Sequence, residues 1–323
     1  MTFDTAASPW SRLWQTGVLH SCATGIQGNY DGAILAFWQR QFDALEDRAR
    51  IVDLGTGNGP LLLLARERAG QRDIDLELHG VDIADIDPAG AVADGARLFA
   101  GIHFHPRTSA CALPFADGEV DMVCSQFGFE YAPRDAAIDE ILRVTRARNR
   151  ISLVVHSDDS IVAQVAVHQR AGCAFLRDAC PIVEQASAMV PVLFQAAQAR
   201  GAHRGPTAES VRLAFNRSAK ALMDTIEAMP EAQVLRKTAQ QIRIALEYAA
   251  HSPQQADVIL THLGNSLQDE DVRLQQLQAA LLSPADLDAL ARRLNQHGYQ
   301  VRHASMEQLP GMKVGWTVEA VRA

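Results

Sequence analysis

A segment near residue 50, IVDLGTGNGPLLLLARERAG, gathers residue types that bind small charged molecules. An apolar strand candidate reaches Asp53, the turn Gly55-Thr56-Gly57-Asn58-Gly59 follows, and a helical run comes next. Glycine adopts positive φ and carries no Cβ, so a ligand can approach its backbone closely. The start of the helix offers free N–H groups and a partial positive charge, both of which favour a carboxylate or phosphate. Asp53 offers the opposite, an acceptor for a cationic group. A second carboxylate, Asp82, closes the next strand candidate in HGVDI, 29 residues further on. A carboxylate in that place is set to accept hydrogen bonds from ribose hydroxyls. The spacing is G-x-G-x-G and not the G-x-G-x-x-G of nicotinamide-cofactor sites. His103 and His105, in GIHFHP, share a strand face. The sequence offers them no obvious third ligand, so no metal site is expected.

These residues need strands and helices to hold them. Strands are expected at 50–55, 76–83, 102–105, 120–125 and 151–157, with helical stretches between most of them. That alternation predicts a parallel sheet covered on both faces. IVDL and ISLVV are near-continuous apolar runs, as strands buried on both sides require. Before the first strand, AILAFWQRQFDALED reads as an amphipathic helix, and residues 1–48 as a helical arm. From 158 to 282 the strand signal vanishes, and Ala, Gln, Leu and Arg dominate. Breaks at 201–206, 229–230, 252–253 and 283–284 predict five or six helices of about 10–20 residues each. SPADLDALARRLNQHG then reads as a helix capped by Ser283 and stopped by Gly298. Strands at 299–305 and 316–321 complete the pattern, with MEQLPGMKVG as a loop between two antiparallel strands. The domain plan is therefore an α/β domain at 49–157 and 283–323, interrupted by a helical insertion at 158–282.

The pattern VDLGTGNG resembles the first motif of class I S-adenosylmethionine-dependent methyltransferases, and further likenesses follow in order. GVDI is similar to that superfamily's second-strand motif, SACALPFADGEVDMV to its xDAxxLPFxDxxFDxV segment, and EILRVTRARNRISLVVHS to its E-x-x-R-V helix and fifth strand. The likeness covers about residues 30–157 and 283–323. It implies a Rossmann-like, mostly parallel sheet whose last strand is antiparallel, with S-adenosyl-L-methionine as cofactor and S-adenosyl-L-homocysteine as product. It implies that Gly55, Thr56, Gly57 and Gly59 line the methionine end, and that Asp53 faces the ammonium group. It further implies that Asp82 holds the ribose hydroxyls with Ile83 against adenine, and that Ser109 and Ala110 lie at the adenine edge. Gln126 and Phe127 would pass near the cofactor and open towards the substrate, with His20 and Tyr30 closing over the site from the arm. Two departures stand out. Ser109 replaces the usual acidic residue, and Ala147-Arg148-Asn149-Arg150 replaces the usual glycine-rich turn before the fifth strand.

In methyl transfer from a sulfonium the cofactor brings the reactivity, and the protein supplies position and desolvation. A general base is needed only for a protonated nucleophile. The candidates at the carboxyl ends of the strands are Glu130, Tyr131 and His156. Each has a plainer alternative: Glu130 as a solvated residue near a helix start, His156 as a structural histidine, Tyr131 as core.

Composition narrows the acceptor. Thirty Lys and Arg against thirty-eight Asp and Glu give a formal charge of −8, which disfavours nucleic acid. No D/N-P-P-Y follows the fourth strand, where SQFG stands, and no Pro-Cys pair supports cytosine chemistry. A small molecule is the expected acceptor, methylated at O, N or C. A protein or peptide side chain, or a non-catalytic S-adenosylmethionine-binding subunit, are the alternatives. A nicotinamide oxidoreductase loses on glycine spacing. No apolar run approaches the ~20 residues that span a bilayer. The start MTFDTAASPWSRLW has no basic stretch followed by an apolar core. The five cysteines (Cys22, Cys111, Cys124, Cys173, Cys180) form no C-x-x-C pair, so a cytoplasmic protein with reduced thiols is expected. The insertion is expected to act as a lid over the substrate site, and its apolar stripe VRLQQLQAALL makes a homodimer the competing use.

Overall fold

The computed structural model describes residues 3–21, 28–198 and 205–322, so Cys22 and most of the expected break at 201–206 lie outside the described residues. Two compact units emerge. One runs to Ala163 and resumes at Gln276; the other is Gln164–Gln275.

The first unit is α/β. Its strands are β1 (Ala49–Leu54), β2 (Leu76–Val81), β3 (Ile102–His105), β4 (Val120–Gln126), β5 (Thr145–Val155), β6 (Gln300–Leu309) and β7 (Met312–Arg322). They form one sheet in the order β3-β2-β1-β4-β5-β7-β6. β1 to β5 are mutually parallel, while β7 runs antiparallel to both β5 and β6. The order reverses between β1 and β4, and α/β sheets bind ligands at such a switch point. Its helices are α1 (Phe3–Gln15), α2 (Gly32–Asp43), α3 (Pro60–Arg72), the short α4 (Pro88–Ala91) and α5 (Gly95–Leu98), and α6 (Arg134–Val144). In the helical stretch, α7 (Ile161–Asp178), α8 (Ile182–Gln198), α9 (Pro206–Ala228), α10 (Gln233–Ala249) and α11 (Pro253–Ala280) follow one another, and α12 (Pro284–Gln296) returns to the α/β unit.

Alternation along the strands divides the core in two. Val52, Leu54, Val123, Leu153 and Val318 pack on one face against Ile138 and Ile141 of α6 and Leu287, Leu290 and Leu294 of α12. Ile51, Met122, Cys124 and Val154 pack on the other against Phe37, Trp38 and Phe42 of α2 and Leu61 and Leu62 of α3. Among the described residues, no helix is long and apolar enough to cross a membrane.

Three expectations need correction. Ala147-Arg148-Asn149-Arg150 is not a turn, because β5 begins at Thr145, directly after α6. Thr145 lies opposite Val120 and Arg150 opposite Met122, so the polar stretch between them bulges out of the ladder. The segment 306–315 is not a loop either. Met306 pairs with Gly315 and Leu309 with Met312, leaving a tight turn at Pro310-Gly311 with Gly311 at φ +76°. β6 is the sheet's edge, where solvent-facing polar residues blur the alternation that marks a strand. Lastly, α9 and α11 reach 23 and 28 residues, longer than expected: neither has a proline past its first position, and α11 runs unbroken through Gly264-Asn265-Ser266.

Ser283 begins α12 as its sequence implies. Its Oγ accepts from the Asp286 N–H at 3.2 Å, and Asp286 Oδ2 accepts from the Ser283 N–H at 3.0 Å. This reciprocal cap satisfies two otherwise unpaired donors. Ser283→Ala is expected to cost about 1 kcal/mol, read as a lower urea midpoint at unchanged slope.

Candidate functional site

A cavity of about 190 Å³ opens at the carboxyl ends of β1, β2 and β4. Asp53 forms its floor and is almost wholly buried. Its Oδ2 accepts from Thr56 Oγ1 at 2.7 Å, and the Cys124 thiol lies 4.0 Å from Oδ1. Burial pushes the Asp53 carboxyl up to about 8; the Thr56 hydrogen bond opposes that rise, and the Asp82 charge adds to it. Asp82 is also buried, and its two oxygens accept from the Gly57 N–H and the Ala84 N–H, both at 2.8 Å. Burial pushes it up to about 6, against the pull of these two donors. Burial, together with the Asp53 charge, raises the Cys124 thiol well above its ordinary value, so it carries no thiolate chemistry.

The glycines divide by role. Gly55, at φ +67°, lies on the wall, and a Cβ there would stand 2.7 Å from the Gly128 Cα, so the β1 and β4 loops meet without a side chain between them. Thr56 is on the wall as well. Gly57 and Gly59 lie behind it: a Cβ on Gly57 would strike the Trp14 indole at 2.7 Å, and one on Gly59 would strike Phe104 at 2.8 Å. Gly59 caps α3 in the left-handed region.

Ile83 stands at the rim, 42% exposed, and Ser109 and Ala110 also line the cavity. Ser109 Oγ accepts from the Cys111 N–H at 3.1 Å. Tyr30 and His20 are on the wall with stacked rings whose centroids are 5.3 Å apart. Gln126 and Phe127 complete the β4 edge. Gln126 Oε1 accepts from Trp38 Nε1 at 2.6 Å. Phe127 sits at φ +56°, a strained place for a bulky residue and a recurrent mark of functional loops.

The three residues considered for proton transfer form one cluster, but only Tyr131 reaches the cavity wall. Glu130 sits in a 3₁₀ turn (Phe129–Tyr131) and is not solvated; its side chain is fully buried. Its Oε1 accepts from the His156 backbone N–H at 2.7 Å and faces His156 Nδ1 at 2.6 Å. The Phe127 and Tyr131 rings lie against His156, with centroids at 4.2 and 6.0 Å. The histidine therefore stands behind the wall. His103 and His105 acquire a neighbour that the sequence did not suggest, His79, whose Nδ1 lies 3.0 Å from His105 Nε2. Among the described residues, no group of three or more His, Cys, Asp or Glu is arranged to hold a metal.

Sequence reading missed Trp10 and Trp14, which reach the cavity from α1. Their i, i+4 spacing puts both on one helix face, and that was the available signal. Trp10 meets the Tyr131 ring edge-on at 5.5 Å. Asn58, inside the glycine turn, ties this arm down by donating to the carbonyls of Trp14 at 2.9 Å and Val18 at 2.7 Å.

Residues 51–148 match a family model described as a methyltransferase domain. A demethylmenaquinone methyltransferase of Beutenbergia cavernae is 37% identical over 111 residues, which cover 34% of this chain and 46% of that protein. A protein of the same name from Thermus thermophilus is 36% identical over 124 residues, covering 37% and 54%. The chain thus spans about half the length of the curated relatives it matches. A solved geranyl diphosphate methyltransferase aligns at 16% identity with a TM-score of 0.37, covering 47% of this chain and 66% of that one.

The acids impose a pH dependence. A carboxyl raised in the folded state adds stability fully present below its unfolded value near 3.9 and lost as pH rises through the folded one. For Asp53 that window runs from about pH 4 to 8. Asp53→Asn imitates the protonated form, so in ligand-free protein it is expected to raise Tm more at pH 8 than at pH 5. Equal shifts at both pH values would contradict a raised Asp53.

Proposed function

We propose that this chain, whose residues 51–148 belong to the class I S-adenosylmethionine-dependent methyltransferase superfamily, transfers a methyl group from S-adenosylmethionine to a small organic molecule. The observation that carries this reading is the pair of buried carboxylates, Asp53 and Asp82, beside an open glycine turn. Two acids raised by burial are poorly placed for a pyrophosphate, and well placed for a ligand that brings an ammonium group to one and ribose hydroxyls to the other. The residues present fit the cofactor. Asp53 would face the ammonium, Gly55 would leave room for the amino-acid tail, Asp82 would accept from the ribose hydroxyls, and Ile83, Ser109 and Ala110 would border the adenine.

S-adenosylmethionine supplies an electrophilic methyl group, and the chain's own residues position the acceptor and exclude water. Trp10, Trp14, Phe127 and Tyr131 give the cavity an apolar wall on the acceptor side. Glu130 holds His156 against Phe127 and Tyr131, and so shapes that wall. Tyr131 is the residue of this trio placed to touch an acceptor. The small acceptor is supported by the two relatives named as demethylmenaquinone methyltransferases, and by an acidic chain unsuited to nucleic acid. The helical stretch α7–α11, which leaves the sheet at the carboxyl end of β5, is proposed to serve acceptor capture.

Thermal melting tests the cofactor. S-adenosylmethionine and S-adenosylhomocysteine are expected to raise Tm, by about 2.7 kcal/mol of added stability at a hundredfold excess over Kd, and NAD to leave it unchanged. Asp82→Ala, which removes charge-assisted hydrogen bonds, is expected to weaken S-adenosylhomocysteine at least tenfold in calorimetry. For the helical stretch, cofactor and acceptor together are expected to slow amide exchange in α7–α11. Unchanged exchange throughout would exclude its role in capture.

A further inference from the structure

Gln126 carries an unsatisfied polar group on the cavity wall. The residue is 8% exposed, and its Nε2 is buried with no hydrogen-bond partner. A buried amide N–H left unpaired is costly, and native proteins seldom keep one without a use. The orientation of this amide is settled by chemistry. Indole Nε1 only donates, so the Gln126 atom facing Trp38 at 2.6 Å is the oxygen, and the NH₂ is turned away from it. Trp38 is itself wholly buried between Phe37 and Phe42, with ring centroids at 4.9 and 5.7 Å, so it cannot swing aside to release the amide. β4 brings Gln126 to the wall beside Phe127 and Gly128, and Tyr131 follows from the turn.

From this we propose that Gln126 is a specificity-determining residue: its Nε2 donates to an oxygen of the methyl acceptor, which is an apolar, ring-bearing molecule carrying a hydroxyl, oxyanion or carbonyl oxygen. The proposal rests on the methyltransferase reading and deepens it. A donor held in this way selects for a lone pair. A neutral oxygen or an oxyanion satisfies it, whereas an ammonium or an arylamine, which donates well and accepts poorly, leaves the N–H unpaired. The aromatic side chains Trp10, Phe127 and Tyr131 supply the apolar surface against which a flat ring packs. Trp38 acts as a positioning residue. Without its N–H the amide is free to turn over and present an acceptor in place of the donor.

The test uses the full chain loaded with S-adenosylhomocysteine and a matched pair of probes, 1-naphthol and 1-naphthylamine, titrated by calorimetry. In the wild type, 1-naphthol is expected to bind at least tenfold more tightly. In Gln126→Met the ratio is expected to fall towards one, while the affinity for S-adenosylhomocysteine stays within twofold. Trp38→Phe keeps an aromatic ring there, at the expense of a void in the core, but removes the N–H, and is expected to reduce the ratio in the same way. Gln126→Glu, which keeps the side-chain shape, serves as the folding control should the methionine variant melt early; it too is expected to lose the preference for 1-naphthol. A ratio unchanged in the variants, or no binding of either probe, overturns the proposal. A tenfold loss of S-adenosylhomocysteine affinity in Gln126→Met also overturns it, because the donor would then serve the cofactor. Failure of the wild type to bind S-adenosylhomocysteine at all would instead remove the methyltransferase reading on which the proposal stands.

Discussion

The burial of two carboxylates next to each other is the constraint around which the α/β unit is arranged. Asp53 and Asp82 end adjacent strands, and Asp53 lies on the β1 side of the point where strand order reverses. Taking either charge out of water is costly, and taking both is costlier, because each opposes ionisation of the other. The ligand-free protein meets part of this cost with what lies at hand: the Thr56 hydroxyl for Asp53, and two backbone N–H groups for Asp82. Neither acid has a basic side chain as its partner, and Asp53 is held near 8. A cationic ligand of the kind proposed would offset the charge that Asp53 carries once ionised.

The same constraint accounts for the turn. Gly55 is needed because the β1 and β4 loops touch there, and any Cβ would part them. Gly57 is needed for a different reason: its N–H must reach Asp82 while the Trp14 indole lies flat over it. Asn58 completes the arrangement by fastening the end of the arm to the turn. One pentapeptide thus carries a ligand wall, a carboxylate donor and an anchor for a cover, and positive φ at Gly55, Gly57 and Gly59 is what lets it turn tightly enough to do all three.

How much of this was legible in the sequence depends on where each signal originates. β1 and β4 were readable because strands buried on both faces are apolar throughout, and α12 because Ser283 and Gly298 punctuate it. The end of β6 past 305 and the start of β5 were not, since their exposed polar residues break the apolar pattern. At the site, the cofactor residues could be named from spacing, but their division into wall and backing could not. Nothing in G-T-G-N-G says that Gly57 lies under a tryptophan from the arm. The pairing of Glu130 with His156 joins residues 26 apart through β5 and the turn after β4, and only the register of the sheet brings them together. The Trp38–Gln126 bond, across 88 residues, is of the same kind.

That difference bears on what sort of catalyst the site resembles. A general base has to touch the proton it removes. Here His156 is turned towards a buried glutamate and screened by Phe127 and Tyr131, while His20, on the wall, stacks on Tyr30 with its Nε2 3.2 Å from the Gly28 carbonyl. Phe127 is held at positive φ between a hydrogen bond to Val154 and the His156 ring. Strain of that sort persists only where the surroundings over-determine the conformation. The Glu130–His156 pair does so: it fixes the loop that carries Gln126, Phe127 and Tyr131 to the wall. The polar chemistry of Glu130 and His156 behind the wall is thereby directed to shape, and Trp10, Trp14 and Phe127 give the wall its apolar part beside the oriented Gln126 amide. For displacement at a sulfonium methyl group that is a sufficient arrangement, since alignment of the nucleophile and exclusion of water supply most of what the reaction requires from the protein.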